Sequence, residues 1–184
     1  MLQKIFMDTE FTCLDQFAQL ISIGLVTDNC TYFAAEFTDY DIEGCSEWVL
    51  ENVLPKISGI TDNNKPDPHT KSTRLVGNKT EVGLALIRWF EQFEDVQIVM
   101  DVGHYDWVLF CGLFGGAMNI PKNILYIPMD LATIFEMKGY DPDTSRHEYL
   151  VGINNKEHLL SNSQHDALYD AWVTKWCYES LTGK

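Results

Sequence analysis

The sequence predicts an α/β fold built on a mixed central sheet flanked by helices. Two observations carry that expectation. Three runs rich in β-branched and aromatic residues fill the chain up to Phe37, joined by short turns. After them, helical stripes alternate with one short buried strand. A chain of 184 residues is expected to form a single domain over 1–184, large enough to bury a core.

The elements follow in order. Residues 4–11 read as a first strand, 19–26 as a second and 31–37 as a third, with Asn29 in the turn between the last two. Together they predict an antiparallel meander. Residues 47–54 form a short helix stopped by Pro55. In 80–93, Val82, Leu86, Trp89, Phe90 and Phe93 repeat at helical spacing. Residues 97–102 are a short apolar strand, and 105–114 a helix ended by Gly115-Gly116. Residues 129–137 are a helix ended by Gly139, and 166–181 are the last helix. Segments 58–77 and 138–164 show no regular pattern, and structureless stretches of about 20 residues in a compact domain are usually functional.

Composition narrows the class. At 46% hydrophobic residues the chain is not disordered, and no apolar run reaches the roughly 18–20 residues needed to span a membrane. No signal-peptide pattern is visible. The five cysteines stand singly, without a C-x-x-C pair, which predicts a reduced, cytoplasmic setting and no zinc site. The net charge of −14 argues against a basic nucleic-acid-binding surface. Attraction to a polyanion would have to be local, and bound divalent cations could supply it by reversing the sign of an acidic pocket.

Acidic residues stand out at three places. Asp8 and Glu10 are two apart on a strand, so both side chains face one side of the sheet, where they repel unless a cation sits between them. Asp106 opens a helix just after the buried strand, and Asp101, at that strand's end, competes for the same role. Asp170 lies on the last helix with His165 five residues before it. Five helical steps at about 100° each would turn His165 away from Asp170, so both face one site only if His165 precedes the helix and Asp166 caps it. The plain alternative for each residue is a solvated strand face or a helix-start acid.

Asp8-Thr9-Glu10-Phe11, Tyr105-Asp106 and His165-Asp166-Ala167-Leu168-Tyr169-Asp170, in this order, resemble the DEDDh family of 3′–5′ exonucleases, which have a ribonuclease H-like fold. A tyrosine branch of the family would place Tyr at position 166, which is Asp here. With Leu20-Ile21-Ser22-Ile23-Gly24, Tyr32-Phe33-Ala34, Trp48-Val49 and Val53-Leu54-Pro55, the chain looks closest to a small bacterial and phage group of 3′–5′ exoribonucleases.

That resemblance implies a site. Asp8, Glu10 and Asp170 would hold one Mg²⁺ or Mn²⁺, Asp8 would bridge to a second ion, and Asp106 would support the pair. His165 would be the general base. Phe11 and Thr12 would lie beside the terminal base and ribose. The partner would be RNA, or DNA, with a free 3′ end, releasing nucleoside 5′-monophosphates, and a homodimer is a further expectation, with Trp48, Trp107 or Trp172 as candidate contacts. An exodeoxyribonuclease and a catalytically silent nucleic-acid-binding module of the same fold stay open as alternatives, since RNA is told from DNA by how the 2′-hydroxyl is met. Among other histidines, His69, His104, His147 and His158 lack the spacing to an Asp that marks His165. Lys65, Lys71, Arg74, Lys79, Arg146 and Lys156 are candidates for guiding the strand.

Overall fold

A computed structural model describes residues 2–57, 72–154 and 163–183. The antiparallel meander is present: β1 (Gln3–Phe11), β2 (Leu20–Thr27) and β3 (Tyr32–Phe37) pair in sequence order. Helix α1 (Glu47–Asn52) follows, capped by the Ser46 hydroxyl and continued by a 3₁₀ turn through Pro55. Then come β4 (Thr73–Gly77), α2 (Lys79–Phe90), β5 (Val96–Met100) and α3 (His104–Gly112). The chain ends with β6 (Met129–Asp130), α4 (Leu131–Met137), α5 (Arg146–Asn154) and α6 (Ala167–Thr182).

Among the described residues the sheet runs β4-β3-β2-β1-β5-β6. The β3–β4, β1–β5 and β5–β6 pairs are parallel, so the sheet is mixed, as the sequence predicts. Alternation along β1 sorts side chains onto two cores. Ile5 and Met7 face α2 and α3, with Val82, Leu86, Trp89, Phe90 and Phe110. Phe6 faces the other way, with Val99, onto Leu131, Phe135, Tyr149, Leu150, Val173 and Tyr178 of α4, α5 and α6. Every residue of β2 is buried because helices cover both faces.

Three expectations are corrected. Segment 58–77 is not irregular throughout, because Thr73–Gly77 is the edge strand β4 beside β3. Only Leu75 and Gly77 of β4 are buried, so the local pattern carried little signal. Segment 138–164 contains α5, whose stripe is blurred by Gly152 and by polar residues around the buried pair Tyr149 and Leu150. The helix expected over 129–137 also starts later: Met129–Asp130 pairs with β5, and Asp130 then caps α4 by accepting from the Thr133 N–H. Among the described residues no helix is long and apolar enough to cross a membrane.

One contact sets where α6 lies. A Cβ at Gly24 of β2 would stand 2.4 Å from the Ala167 carbonyl oxygen and from the Leu168 Cα and N. Only a residue without a side chain lets the first turn of α6 come this close to the sheet. Gly24→Ala is therefore expected to cost about 1–3 kcal/mol by forcing the helix outward. Chemical denaturation measures this, and an unchanged midpoint would mean that α6 is not seated on Gly24.

Candidate active site

The register carries the Gly24 contact to the acids. Gly24 pairs with Asp8, and Glu10 with Ser22, so the start of α6 stands over the acidic end of β1. Asp8 and Glu10 share the β1 face of Phe6, the face that α6 covers. Asp170, in the first turn of α6, comes down onto them. Donor atoms of Glu10, Asp170 and His165 lie within 4.8 Å of one another. Among the described residues this is the one such group that closes to metal-binding spacing.

His165 precedes the helix, as the helical geometry requires. Asp166 is the N-cap, with Oδ1 accepting from the Tyr169 N–H at 3.0 Å. His165 itself has φ 68°, a left-handed conformation that side chains rarely adopt. Its N–H donates to Asp170 Oδ2 at 2.8 Å, and its ring meets the Trp48 ring edge-on at 4.8 Å. Strain of this kind persists only where surrounding contacts hold it.

Asp106 arrives from the opposite side. β5 pairs with β1 only as far as Phe6, which leaves the β1 edge open beyond it. Asp106 Oδ1 takes that edge, accepting from the Thr9 N–H at 2.9 Å and from the Thr9 hydroxyl at 2.7 Å. Thr9 is thus a site residue that sequence reasoning passed over. The signal was its place between Asp8 and Glu10, where alternation turns its side chain toward α3. Gly24 was passed over as well; it was quoted only as part of a resemblance.

The electrostatics are those of crowded acids. Burial, then the charges of Asp106, Asp170, Glu10 and Asp101, hold the Asp8 carboxyl well above the usual carboxylate range. Burial, then Asp170, Asp106 and Asp166, push Glu10 up to about 8. Burial raises Asp170 to about 7, against the His165 N–H that stabilises its charged form. Burial also raises Asp106, opposed by its bonds from Thr9. His165 is shifted down by burial and by Lys56, which favours a neutral imidazole. Hard carboxylate oxygens and one imidazole, gathered with their charges uncompensated by one another, fit a divalent cation of the Mg²⁺ or Mn²⁺ type.

Other expected residues fall out differently. Phe11 stacks on Tyr105, with ring centres 5.6 Å apart and planes 20° apart, beside the site. Thr12 is buried: its hydroxyl accepts from Gln19 N–H at 3.1 Å, and its carbonyl accepts from Ser46 N–H at 2.9 Å. Its side chain joins β1 to β2 and is turned away from solvent. Arg146 was expected to guide substrate; instead it grips Asp101 through two hydrogen bonds, of 2.8 and 2.6 Å. Arg74 stays exposed and leans on Tyr32. Lys79 opens α2, where its N–H donates to Asp39. Lys65, Lys71, Lys156, His69 and His158 lie outside the described residues. Of the tryptophans considered for an interface, Trp107 packs against the core and Trp172 against Trp176.

No family model matches the chain. It is similar to two 3′–5′ exoribonucleases of Mycobacterium tuberculosis, from strains CDC 1551 and H37Rv. Each is 28% identical over 138 residues, covering 74% of this chain and 76% of the relative. Among solved structures it is similar to the Neurospora crassa Pan2 catalytic unit (protease and nuclease domain), at TM-score 0.50 and 19% identity over 98% of this chain. The resemblance to DEDD-type, ribonuclease H-like 3′–5′ exonucleases holds. The chain spans about a quarter of the Pan2 structure, 27% of its length, and that likeness is one of fold.

The raised carboxyls have a consequence for stability. Native Glu10 and Asp170 keep protons that their unfolded counterparts release from about pH 4 upward. The native state then binds more protons, so stability falls as pH rises between about 4 and 8. The melting temperature of chelator-treated protein is expected to drop across this window, and Mg²⁺ or Mn²⁺ should restore it most at pH 8. Glu10→Gln should flatten the slope. A melting temperature indifferent to pH and to cation in the wild type would refute this account of the cluster.

Proposed function

We propose that this chain is a divalent-metal-dependent 3′–5′ exoribonuclease that releases nucleoside 5′-monophosphates. The observation that carries the reading is the convergence of Glu10, Asp170 and His165 within 4.8 Å, with Asp8 beside Glu10 on the same face of β1. The names of the Mycobacterium relatives favour RNA over DNA as the substrate.

Asp8, Glu10 and Asp170 hold the cations in this reading, and Asp106 supports them from across the strand. Bound there, divalent cations supply charge stabilisation for the phosphate and for the departing 3′-oxygen. His165, whose charged form burial and Lys56 disfavour, accepts the proton of the attacking water. The water oxygen bonds to phosphorus, the bond to the 3′-oxygen breaks, and that oxygen leaves on the shortened strand. The imidazole sits on a segment held by Trp48, by the Asp170 bond and by the Asp166 cap, which fixes its direction. The exposed edge of the Phe11–Tyr105 stack offers the terminal base an aromatic face.

The test uses end-labelled RNA and DNA, single-stranded and with 3′ overhangs, with Mg²⁺ or Mn²⁺. Mononucleotides should appear from the 3′ end of RNA. His165→Ala should lower kcat by about 10²–10⁴-fold, the range for loss of a positioned base. Asp8→Ala should abolish release while leaving the fold intact by circular dichroism. Release from no substrate, or full activity of Asp8→Ala, would sink the nuclease reading; faster release from DNA would replace RNA with DNA.

A further inference from the structure

Asp101 immediately follows β5 and is a fifth acid beside this site. Its charge raises the carboxyls of Asp8, Asp106 and Asp170. Among the described residues it alone of the five is answered by a cation. Arg146 Nε donates to its Oδ2 at 2.8 Å and one terminal nitrogen to its Oδ1 at 2.6 Å, a two-pronged pair. The guanidinium is itself held. It lies 4.1 Å over the Phe135 ring and donates to the carbonyls of Pro142 and Thr144. Its side chain is 11% exposed, so it is not free to meet a strand in solvent.

The pair grips one end of a strained turn. Val102, next in sequence, has φ 50°, which its branched side chain strongly disfavours. Its N–H donates to Asp130 Oδ1 at 2.9 Å, and its carbonyl accepts from His104 N–H at 2.8 Å. Gly103 follows, with no room for a Cβ beside Met100, and α3 then delivers Asp106 in its first turn. Asp101 and Val102 are thus tied to the start of α5 and the cap of α4, one on each side of the turn.

We propose that Arg146 is a positioning residue for the acid cluster: by gripping Asp101 it sets the turn that delivers Asp106, and it withholds Asp101 from service as a fifth cation ligand. This rests on the proposed nuclease function for its kinetic arm alone.

Arg146→Lys, Arg146→Met and the double variant Asp101→Asn/Arg146→Met separate the two effects. Mn²⁺ affinity by calorimetry and kcat and KM on RNA are measured on the full chain. Arg146→Lys keeps the charge and loses the fork. It should bind Mn²⁺ like the wild type and lose about tenfold or more in kcat at unchanged KM, as small misplacements do. Arg146→Met frees Asp101 and should tighten Mn²⁺ binding about tenfold, as an added carboxylate raises the ligand charge. The double variant should return Mn²⁺ affinity to that of the wild type while kcat stays low.

Wild-type kcat in Arg146→Lys overturns the proposal. So does unchanged Mn²⁺ affinity in Arg146→Met, or a salt-dependent rise in KM, which would make Arg146 a substrate contact. Should Arg146→Met fail to fold, the double variant decides: wild-type kcat there overturns the positioning. Should the wild type release no nucleotide at all, the nuclease reading fails, and the Mn²⁺ affinities still decide whether Arg146 withholds Asp101.

Discussion

The close approach of α6 to β2 at Gly24 is the constraint on which the site depends. The first turn of α6 stands where any side chain at position 24 of β2 would be. Because Gly24 pairs with Asp8, that contact also places Asp170 and His165 over the acidic end of β1. The rest of α6 holds the helix down through Val173, Cys177, Tyr178 and Leu181, packed on Phe6 and Val99. Apolar burial along most of the helix therefore offsets the repulsion gathered at its first turn.

Three of the acids are each managed by a different local device. Asp106 is bound at one oxygen by the open edge of β1 through Thr9. Asp170 takes the His165 N–H, and Asp101 takes Arg146. The chain is strained in the left-handed region at Val102 and at His165, which immediately precede or belong to the segments that carry these acids. Strained backbone held by surrounding contacts tends to mark positions where geometry matters more than local stability. Asp8 and Glu10, on a regular strand, need no such device; their direction follows from the pleat.

Much of this was legible in the sequence because strand and helix periodicities are local. The meander, the stripe of Val82, Leu86 and Trp89, and the location of His165 ahead of its helix all follow from spacings of two to five residues. What was not legible has long-range causes. β4 is a strand because β3 offers it an edge, and its own residues alternate too weakly to show it. Arg146 looked like a solvated loop cation because its partner stands 45 positions away. Thr12 looked like a neighbour of the site, yet the turn of the chain toward Gln19 folds its hydroxyl inward.

By itself, then, the sequence determined the element types, the mixed α/β class and the chemical identity of the acids and the histidine, since all of these reside in side chains and short-range repeats. Only the tertiary structure decided which acids meet, that Arg146 pairs with Asp101 while Thr9 binds Asp106, and that Gly24 and Thr9 are the joints. Those choices depend on how helices cross a sheet, and a crossing is set by packing between segments far apart in the chain.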